Sequence, residues 1–329
     1  MALPEPNKIS RVAVVGCGTI GAGWAALFLA RGMWVTASDP APEAETRLRG
    51  FVARAWPALQ ALGLTGAEEP QGLRFATDVE AALEGAQFVQ ENAPEDEALK
   101  VALFARMDAV LAPEVIIASS TSAFLMSALQ RDCRYPGRCV LGHPFNPPHL
   151  VPLVEVAGGN KTDAETVDWA LDFYRAVGQH PIRLKREIYR HVANRLQSVL
   201  WNEAVQLVEQ GVAEPADIDA AVAYGPGLRW ALMGPFLTHH LAGGEGGLAK
   251  ALEMFGDPQD GGDDPAMRRP PIAGPEGAPA GRAGCHRRRP RYRRAGGRPR
   301  PRPGGDPPRD WPWDWAGKRR GGGPLTAVW

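Results

Sequence analysis

Val12-Ala13-Val14-Val15-Gly16-Cys17-Gly18-Thr19-Ile20-Gly21 is a short apolar run that passes into three glycines at G-x-G-x-x-G spacing, then into the apolar segment Trp24 to Ala30. Without a Cβ, Gly16 suits a tight turn, Gly18 lets the backbone approach a pyrophosphate, and Gly21 lets a helix pack close to the strand. The start of that helix, Thr19-Ile20-Gly21, presents free N–H groups to phosphate oxygens. A second apolar run, Met33 to Ala37, ends in Ser38-Asp39. That places an acid about twenty residues on, as recognition of a ribose 2′-hydroxyl requires. Asp39 is followed by Pro40-Ala41-Pro42, with no Arg to hold a 2′-phosphate, so the pattern predicts NAD over NADP.

At 329 residues the chain has room for two domains with buried cores. Its four cysteines (Cys17, Cys133, Cys139 and Cys285) form no C-x-x-C pair, which argues against a structural zinc site or a disulfide scaffold, and no metal is expected. Met1 to Ser10 lacks the apolar core of a signal peptide, and no run approaches the roughly 18 apolar residues that span a membrane. A cytoplasmic protein without a membrane partner is expected. The zero net charge averages two unlike regions. From Gly261 to Trp329 there are 16 Arg and Lys against 6 Asp and Glu, with 27 Gly and Pro but only three Leu, Ile, Val or Phe. Such a segment buries too little apolar surface to offset its ordering entropy, so a disordered tail is expected over 258–329.

Strand-like and helix-like segments alternate through the first part, the pattern of a parallel sheet covered by helices. Strands are expected near 11–15, 34–38, 86–91, 115–119, 138–142, 151–156 and 180–184, with helices over 19–31, 41–62, 96–110, 124–129 and 163–176. After about Arg186 the strand signals stop, and His191 to Gln210 reads as one long helix with Val192, Leu196, Val199 and Leu200 on one face. A further helix begins near Pro215, and Leu248 to Phe255 looks helical. The expected fold is α/β: a Rossmann-type, doubly wound parallel sheet over 1–186, followed by a smaller all-helical substrate and dimerisation domain over 187–257.

Three segments at strand ends carry candidate chemistry. Asn92-Ala93-Pro94-Glu95-Asp96-Glu97 precedes Leu99-Lys100 on the rim where open α/β sheets bind ligands; Glu95 either serves there or satisfies the dipole of the next helix. The hydroxyls of Ser119-Ser120-Thr121-Ser122 either polarise a substrate oxygen or cap a helix. In Gly142-His143-Pro144-Phe145-Asn146-Pro147, His143 is held by proline-restricted backbone, and Glu155 follows inside the apolar strand Leu153-Val154-Glu155-Val156. A buried carboxylate needs a partner, and an imidazole at a neighbouring strand end supplies one. Such a pair makes a general base or a plain core hydrogen bond. Asn194, one turn before Ser198 on the long helix, either donates to a substrate oxygen or bonds neighbouring backbone.

Taken together, residues from about Val12 to Gly256 resemble the L-3-hydroxyacyl-CoA dehydrogenase superfamily. The likeness runs through the glycine loop, Glu91-Asn92-Ala93-Pro94-Glu95 with Lys100, Ser120-Thr121-Ser122, His143-Pro144-Phe145-Asn146-Pro147, Leu153-Val154-Glu155-Val156 and Ala193-Asn194-Arg195-Leu196. The resemblance implies a catalytic base at His143 with Glu155 as its partner. It also implies contacts from Ser122 and Asn194 to the substrate oxygen, Asn146 in the same site, and Glu95 and Lys100 beside the cofactor. Tyr224-Gly225-Pro226-Gly227-Leu228-Arg229-Trp230 looks like the branch acting on free 3-hydroxy acids, such as the carnitine and L-gulonate dehydrogenases and lambda-crystallin. Arg229 there suits a carboxylate, Trp230 a quaternary ammonium; the alternative for Arg229 is an acid or carbonyl between helices.

Two departures from the family stand out. Glu187-Ile188-Tyr189-Arg190-His191 stands where the family usually has a glycine shortly before the helix carrying Asn194, so Arg190 is expected to alter that helix entry. Beyond about Asp257, Pro-Gly-Arg-rich sequence replaces the family's further helices, which suggests a frameshift in a GC-rich gene; resequencing codons 255–270 tests this. The leading expectation is NAD-dependent oxidation of a small L-3-hydroxy acid by a homodimer. The alternatives are a 3-hydroxyacyl-CoA substrate, an NAD-binding but inactive truncated homologue, and a nucleic-acid arm in the Arg287 to Arg302 region. For that arm the sparse aromatics and the lack of a binding fold weigh against nucleic acid as a partner.

Overall fold

The three-dimensional structure is a computed structural model that describes residues 3–255, so the sequence expectations for 258–329, the basic arm included, lie outside the described residues. The glycine loop joins β1 (Arg11–Val15) to α1 (Thr19–Ala30), as its spacing requires. There follow β2 (Trp34–Ser38), α2 (Ala44–Ala61), β3 (Leu73–Ala76), α3 (Val79–Leu83), β4 (Phe88–Glu91), α4 (Glu97–Val110), β5 (Ile116–Ser119) and α5 (Met126–Leu129). Next come β6 (Cys139–Pro144), β7 (Leu153–Gly158), α6 (Ala164–Ala176) and β8 (His180–Arg183). The eight strands form one sheet in the order β3-β2-β1-β4-β5-β6-β7-β8. The order reverses on either side of β1, the doubly wound arrangement that opens a crevice at the carboxyl ends of β1 and β4.

One feature departs from an all-parallel sheet. β7 pairs with β6 antiparallel, and β8 then runs parallel to β7. The cause is the connection: residues 145–152 contain no helix, and a parallel return needs a crossover of about a dozen residues or more. The antiparallel register sets His143 directly opposite Glu155.

α1 is apolar nearly all round and buried from Gly21 to Ala30, so it lies inside the layer between sheet and α2. Its Trp24 and Phe28 stack with ring centroids 5.3 Å apart and join Phe88, Trp169, Phe173 and Tyr174 in an aromatic core. The polar edges of this core are all used. Tyr174 donates to Gln90 Oε1 at 2.7 Å, while Gln90 Nε2 and Trp24 Nε1 donate to Ser120 Oγ at 2.8 and 3.1 Å. The packing thus fixes the segment that follows β5.

α7 (Val192–Glu209), α8 (Pro215–Tyr224), α9 (Pro226–Trp230), α10 (Pro235–Ala242) and α11 (Gly247–Phe255) complete the described chain. The described residues divide into two compact units, the first running to Trp201 and the second starting at Asn202. The start of α7 therefore belongs with the sheet. α9 and α10 each begin on a proline, Pro226 and Pro235, which presets a helical φ where no N–H is needed.

The two residues before α7 are left-handed: Arg190 has φ 63° and His191 φ 46°. A left-handed residue with a side chain costs about 1–2 kcal/mol, and the Arg190 side chain is exposed and holds no ion pair among the described residues. Arg190→Gly should therefore raise stability by about 1 kcal/mol, or about 2–4 °C in Tm for a chain of this size. An unchanged or lower Tm would show that the turn is not strained.

Candidate active site

Along the carboxyl rim of the sheet the three loop glycines differ in what surrounds them. Gly16 has φ +89°, and a Cβ there would lie 2.6 Å from the Asn92 carbonyl carbon. A Cβ on Gly21 would lie 1.9 Å from the Gly16 oxygen, so strand and helix close on each other at this point. Gly18 faces open space with nothing within 4 Å, and Thr19 beside it is exposed while Ile20 is half-buried. Asp39, at the end of β2, accepts from the Cys17 amide at 2.7 Å and the Ala41 amide at 2.8 Å. The donors of α1's first turn and this carboxylate thus share one rim, the chemistry a dinucleotide requires.

Next to it lies a saturated polar network. Glu91, with no exposed surface, accepts from Lys100 Nζ at 2.8 Å, the Ala93 amide at 2.6 Å and Ser119 Oγ at 2.5 Å. Lys100 is itself buried and also donates to the Ala93 carbonyl at 2.8 Å, so its ammonium braces the loop from beneath. Glu95 is more exposed, accepts from the Thr121 hydroxyl at 2.9 Å and receives the Ser122 amide. Ser120 donates to Asn92 Oδ1 at 2.7 Å. The hydroxyls of Ser119, Ser120 and Thr121 are thereby committed, whereas the Ser122 hydroxyl has no partner among the described residues.

β6 and β7 supply the second half of the site. His143 is 5 % exposed, and its Nδ1 lies 2.9 Å from Glu155 Oε2. The other Glu155 oxygen accepts from the Val192 amide at 2.8 Å and the Ala193 amide at 3.0 Å. These are two of the donors that a helix start leaves open, so Glu155 caps α7 while it orients His143. Burial alone would push the Glu155 carboxyl up, but the His143 bond and the two amides outweigh it and hold the pKa below the usual carboxylate value. His143 Nε2 has no partner among the described residues. Asn194 follows two positions later, half-buried, with its side-chain amide unbonded to any described residue; its carbonyl accepts from Ser198. Asn146 is exposed on the β6–β7 connection.

His191, absent from the sequence candidates, is part of this cluster. Its ring lies 4.7 Å from that of His143, and its Nε2 is 2.8 Å from the Thr121 carbonyl. Burial, then repulsion from His143, lowers its pKa despite the Thr121 bond. A lone histidine before a helix carries no sequence signal that separates it from a core residue. Arg229 and Trp230 lie in the second unit, both exposed on α9. Among the described residues there is no group of three His, Cys, Asp or Glu arranged to hold a metal ion, and no helix long and apolar enough to cross a membrane.

Comparison with known proteins places this geometry. The sequence model of the 3-hydroxyacyl-CoA dehydrogenase NAD binding domain matches residues 11–188, and that of the 3-hydroxyacyl-CoA dehydrogenase C-terminal domain matches residues 191–284. The chain belongs to the 3-hydroxyacyl-CoA dehydrogenase family. It is an NAD-dependent dehydrogenase of 3-hydroxy acids or their CoA thioesters. The L-carnitine dehydrogenase of Streptomyces griseus is 53% identical over 251 residues, 76% of this chain and 75% of that protein. Among solved structures, the NAD+-dependent 5-formyl-3-hydroxy-2-methylpyridine 4-carboxylic acid 5-dehydrogenase superposes with TM-score 0.65 at 37% identity, covering 75% of this chain and 76% of that one. The 3-hydroxybutyryl-CoA dehydrogenase of Escherichia coli superposes with TM-score 0.61 at 31% identity, covering 75% of this chain and 53% of that one.

The titrating groups of this family member set how its stability depends on pH. His191 and His149 are buried, and burial lowers both pKa values below 6.5, so the unfolded chain takes up protons that the folded chain excludes. Their contribution is present above pH 6.5 and is lost as pH falls toward the folded values. Glu155 adds a second loss below the ordinary carboxylate value of 4.5. The urea midpoint should therefore fall steadily between pH 7 and pH 4, and a flat profile over that range would contradict the assignment.

Proposed function

We propose that the enzyme oxidises the 3-hydroxyl of a small, free L-3-hydroxy acid, with His143 as the general base. The observation that supports this best is the His143–Glu155 pair. Glu155 engages Nδ1 at 2.9 Å and leaves Nε2 unpartnered, the atom needed to take a hydroxyl proton. An ionised Glu155 stabilises the imidazolium that results, and the two α7 amides help to keep it ionised. The unpartnered Ser122 hydroxyl and Asn194 amide act as donors to the substrate oxygen as it loses its proton. NAD, when bound, would supply the acceptor for the hydride that leaves C3. Its pyrophosphate suits the start of α1 at Gly18, Thr19 and Ile20, with Gly16 and Gly21 shaping the loop and Asp39 toward the ribose. Glu95 and Lys100 hold the neighbouring wall, and Asn146 belongs to the same rim.

For the substrate, the likeness to L-carnitine dehydrogenases favours a compact zwitterion over a CoA thioester. Arg229 supplies a charge-assisted bidentate contact for a carboxylate, and Trp230 an aromatic face for a trimethylammonium group. Exposed apolar side chains of the second unit, Leu228, Leu232 and Phe236 among them, support a homodimer.

NADH formation by the purified full chain should be faster with L-carnitine than with L-gulonate or 3-hydroxybutyryl-CoA. His143→Ala should lower kcat by about 10²- to 10⁴-fold. Arg229→Ala should raise KM for the free acid about tenfold or more. Absence of turnover with every 3-hydroxy acid, or undiminished turnover by His143→Ala, would refute the assignment; preference for the thioester would move the substrate to the CoA class.

A further inference from the structure

His191 has no task in the chemistry above, yet it packs on His143, bonds the carbonyl before Ser122 and leads in the chain to Asn194. It is 1 % exposed, and its ring packs against His143 at 4.7 Å and 49°. Its Nε2 is 2.8 Å from the Thr121 carbonyl oxygen. A carbonyl only accepts, so the proton sits on Nε2 and Nδ1 keeps a lone pair. Nδ1 itself is buried and has no partner among the described residues. The ring reaches this place through two successive left-handed residues, Arg190 and His191, neither of them glycine. Backbone of this kind persists where its surroundings over-determine it, and it concentrates at functional sites. Here the surroundings are the Thr121 bond on one side and the Glu155 bonds to Val192 and Ala193 on the other.

We infer that His191 is a positioning residue that sets Ser122, His143 and Asn194 in one arrangement. The inference rests on the reading of His143 as the base. Through Nε2–H, His191 holds the peptide group immediately before Ser122. Its ring restricts the movement of the His143 imidazole, and its backbone leads into α7 three residues before Asn194. The groups facing it are His143 from β6, Glu155 from β7, and the carbonyls of Thr121 and Ile188. Among these a neutral ring is required: a cation at His191 would oppose formation of the imidazolium at His143.

Two variants of the full chain separate positioning from folding. His191→Phe keeps a ring and removes the donor to Thr121, whereas His191→Gln keeps an N–H donor and loses the ring. With enzyme counted by NAD titration, so that only folded sites are scored, His191→Phe should lose about 10- to 100-fold in kcat while the Kd for NAD stays within about twofold. His191→Gln should recover part of the loss. Nitrogen-15 spectra of the wild-type histidines should show His191 neutral with its proton on Nε2 at pH 7. Wild-type kcat in His191→Phe, or a charged or Nδ1-protonated His191, would overturn the inference. A wild-type protein inactive on every 3-hydroxy acid would instead refute the proposed reaction, and the spectra alone would then decide the state of His191.

Discussion

One carboxylate joins the two halves of the candidate site. Glu155 has no exposed surface, and a buried carboxylate without donors costs several kcal/mol. It has three: His143 through one oxygen, Val192 and Ala193 through the other. The first fixes the tautomer and orientation of the imidazole, and the other two fix where α7 begins. Because the same group does both, His143 and Asn194 cannot be placed independently. The antiparallel pairing of β6 and β7 makes this possible, since it sets Glu155 directly across from His143 at the site end of the sheet. A parallel strand in that position would have put its acid in a different register.

The allocation of polar groups separates scaffold from site. Glu91, Lys100, Ser119, Ser120 and Thr121 are all bonded within the protein, most of them out of reach of solvent. A buried ion pair such as Lys100–Glu91 adds little net stability, because desolvation offsets its Coulomb attraction. Its effect is geometric: it holds Ala93 and the Ser119 hydroxyl at fixed positions on the rim. Against that saturated background the Ser122 hydroxyl, His143 Nε2 and the Asn194 amide stand out as the groups left to engage something else. That contrast, more than residue type, is what supports their proposed roles.

Much of this was legible in the sequence because it depends on local pattern. The glycine spacing dictated the β1–α1 turn, and the apolar runs at 11–15, 34–38 and 115–119 became strands close to the expected bounds. The acid in Leu153-Val154-Glu155-Val156 announced a partner because burial of a carboxylate demands one. Strand direction was not legible, since alternation of side chains is the same in either sense. Only the helix-free 145–152 connection betrays the antiparallel return. β3, Leu-Arg-Phe-Ala, is short and carries a charge, so it lacked the apolar run that marked the other strands. α9 and α10 were hidden by their prolines and glycines. His191 was invisible for a different reason. Its importance comes from neighbours 48 and 70 residues away in the chain, His143 and Thr121, which only the fold brings to it.

The turn before α7 shows how the site balances opposing demands. Two left-handed residues carrying side chains make the approach to the helix unfavourable, and a helix start also leaves amides unpaired. Glu155 offsets both by bonding the first two amides of α7, and the Thr121 carbonyl secures His191 in the turn. Weakening either anchor frees the turn to relax toward ordinary dihedrals, and relaxation moves His191 and Asn194 together. On the proposed roles, the turn keeps its geometry only while Glu155 stays ionised and His191 stays neutral. Both conditions hold in the same range of pH, because hydrogen bonding lowers the pKa of Glu155 against its burial, and burial lowers that of His191 against its hydrogen bonds. The charge state that the proposed proton transfer at His143 calls for is thus also the one that holds the start of α7 in place.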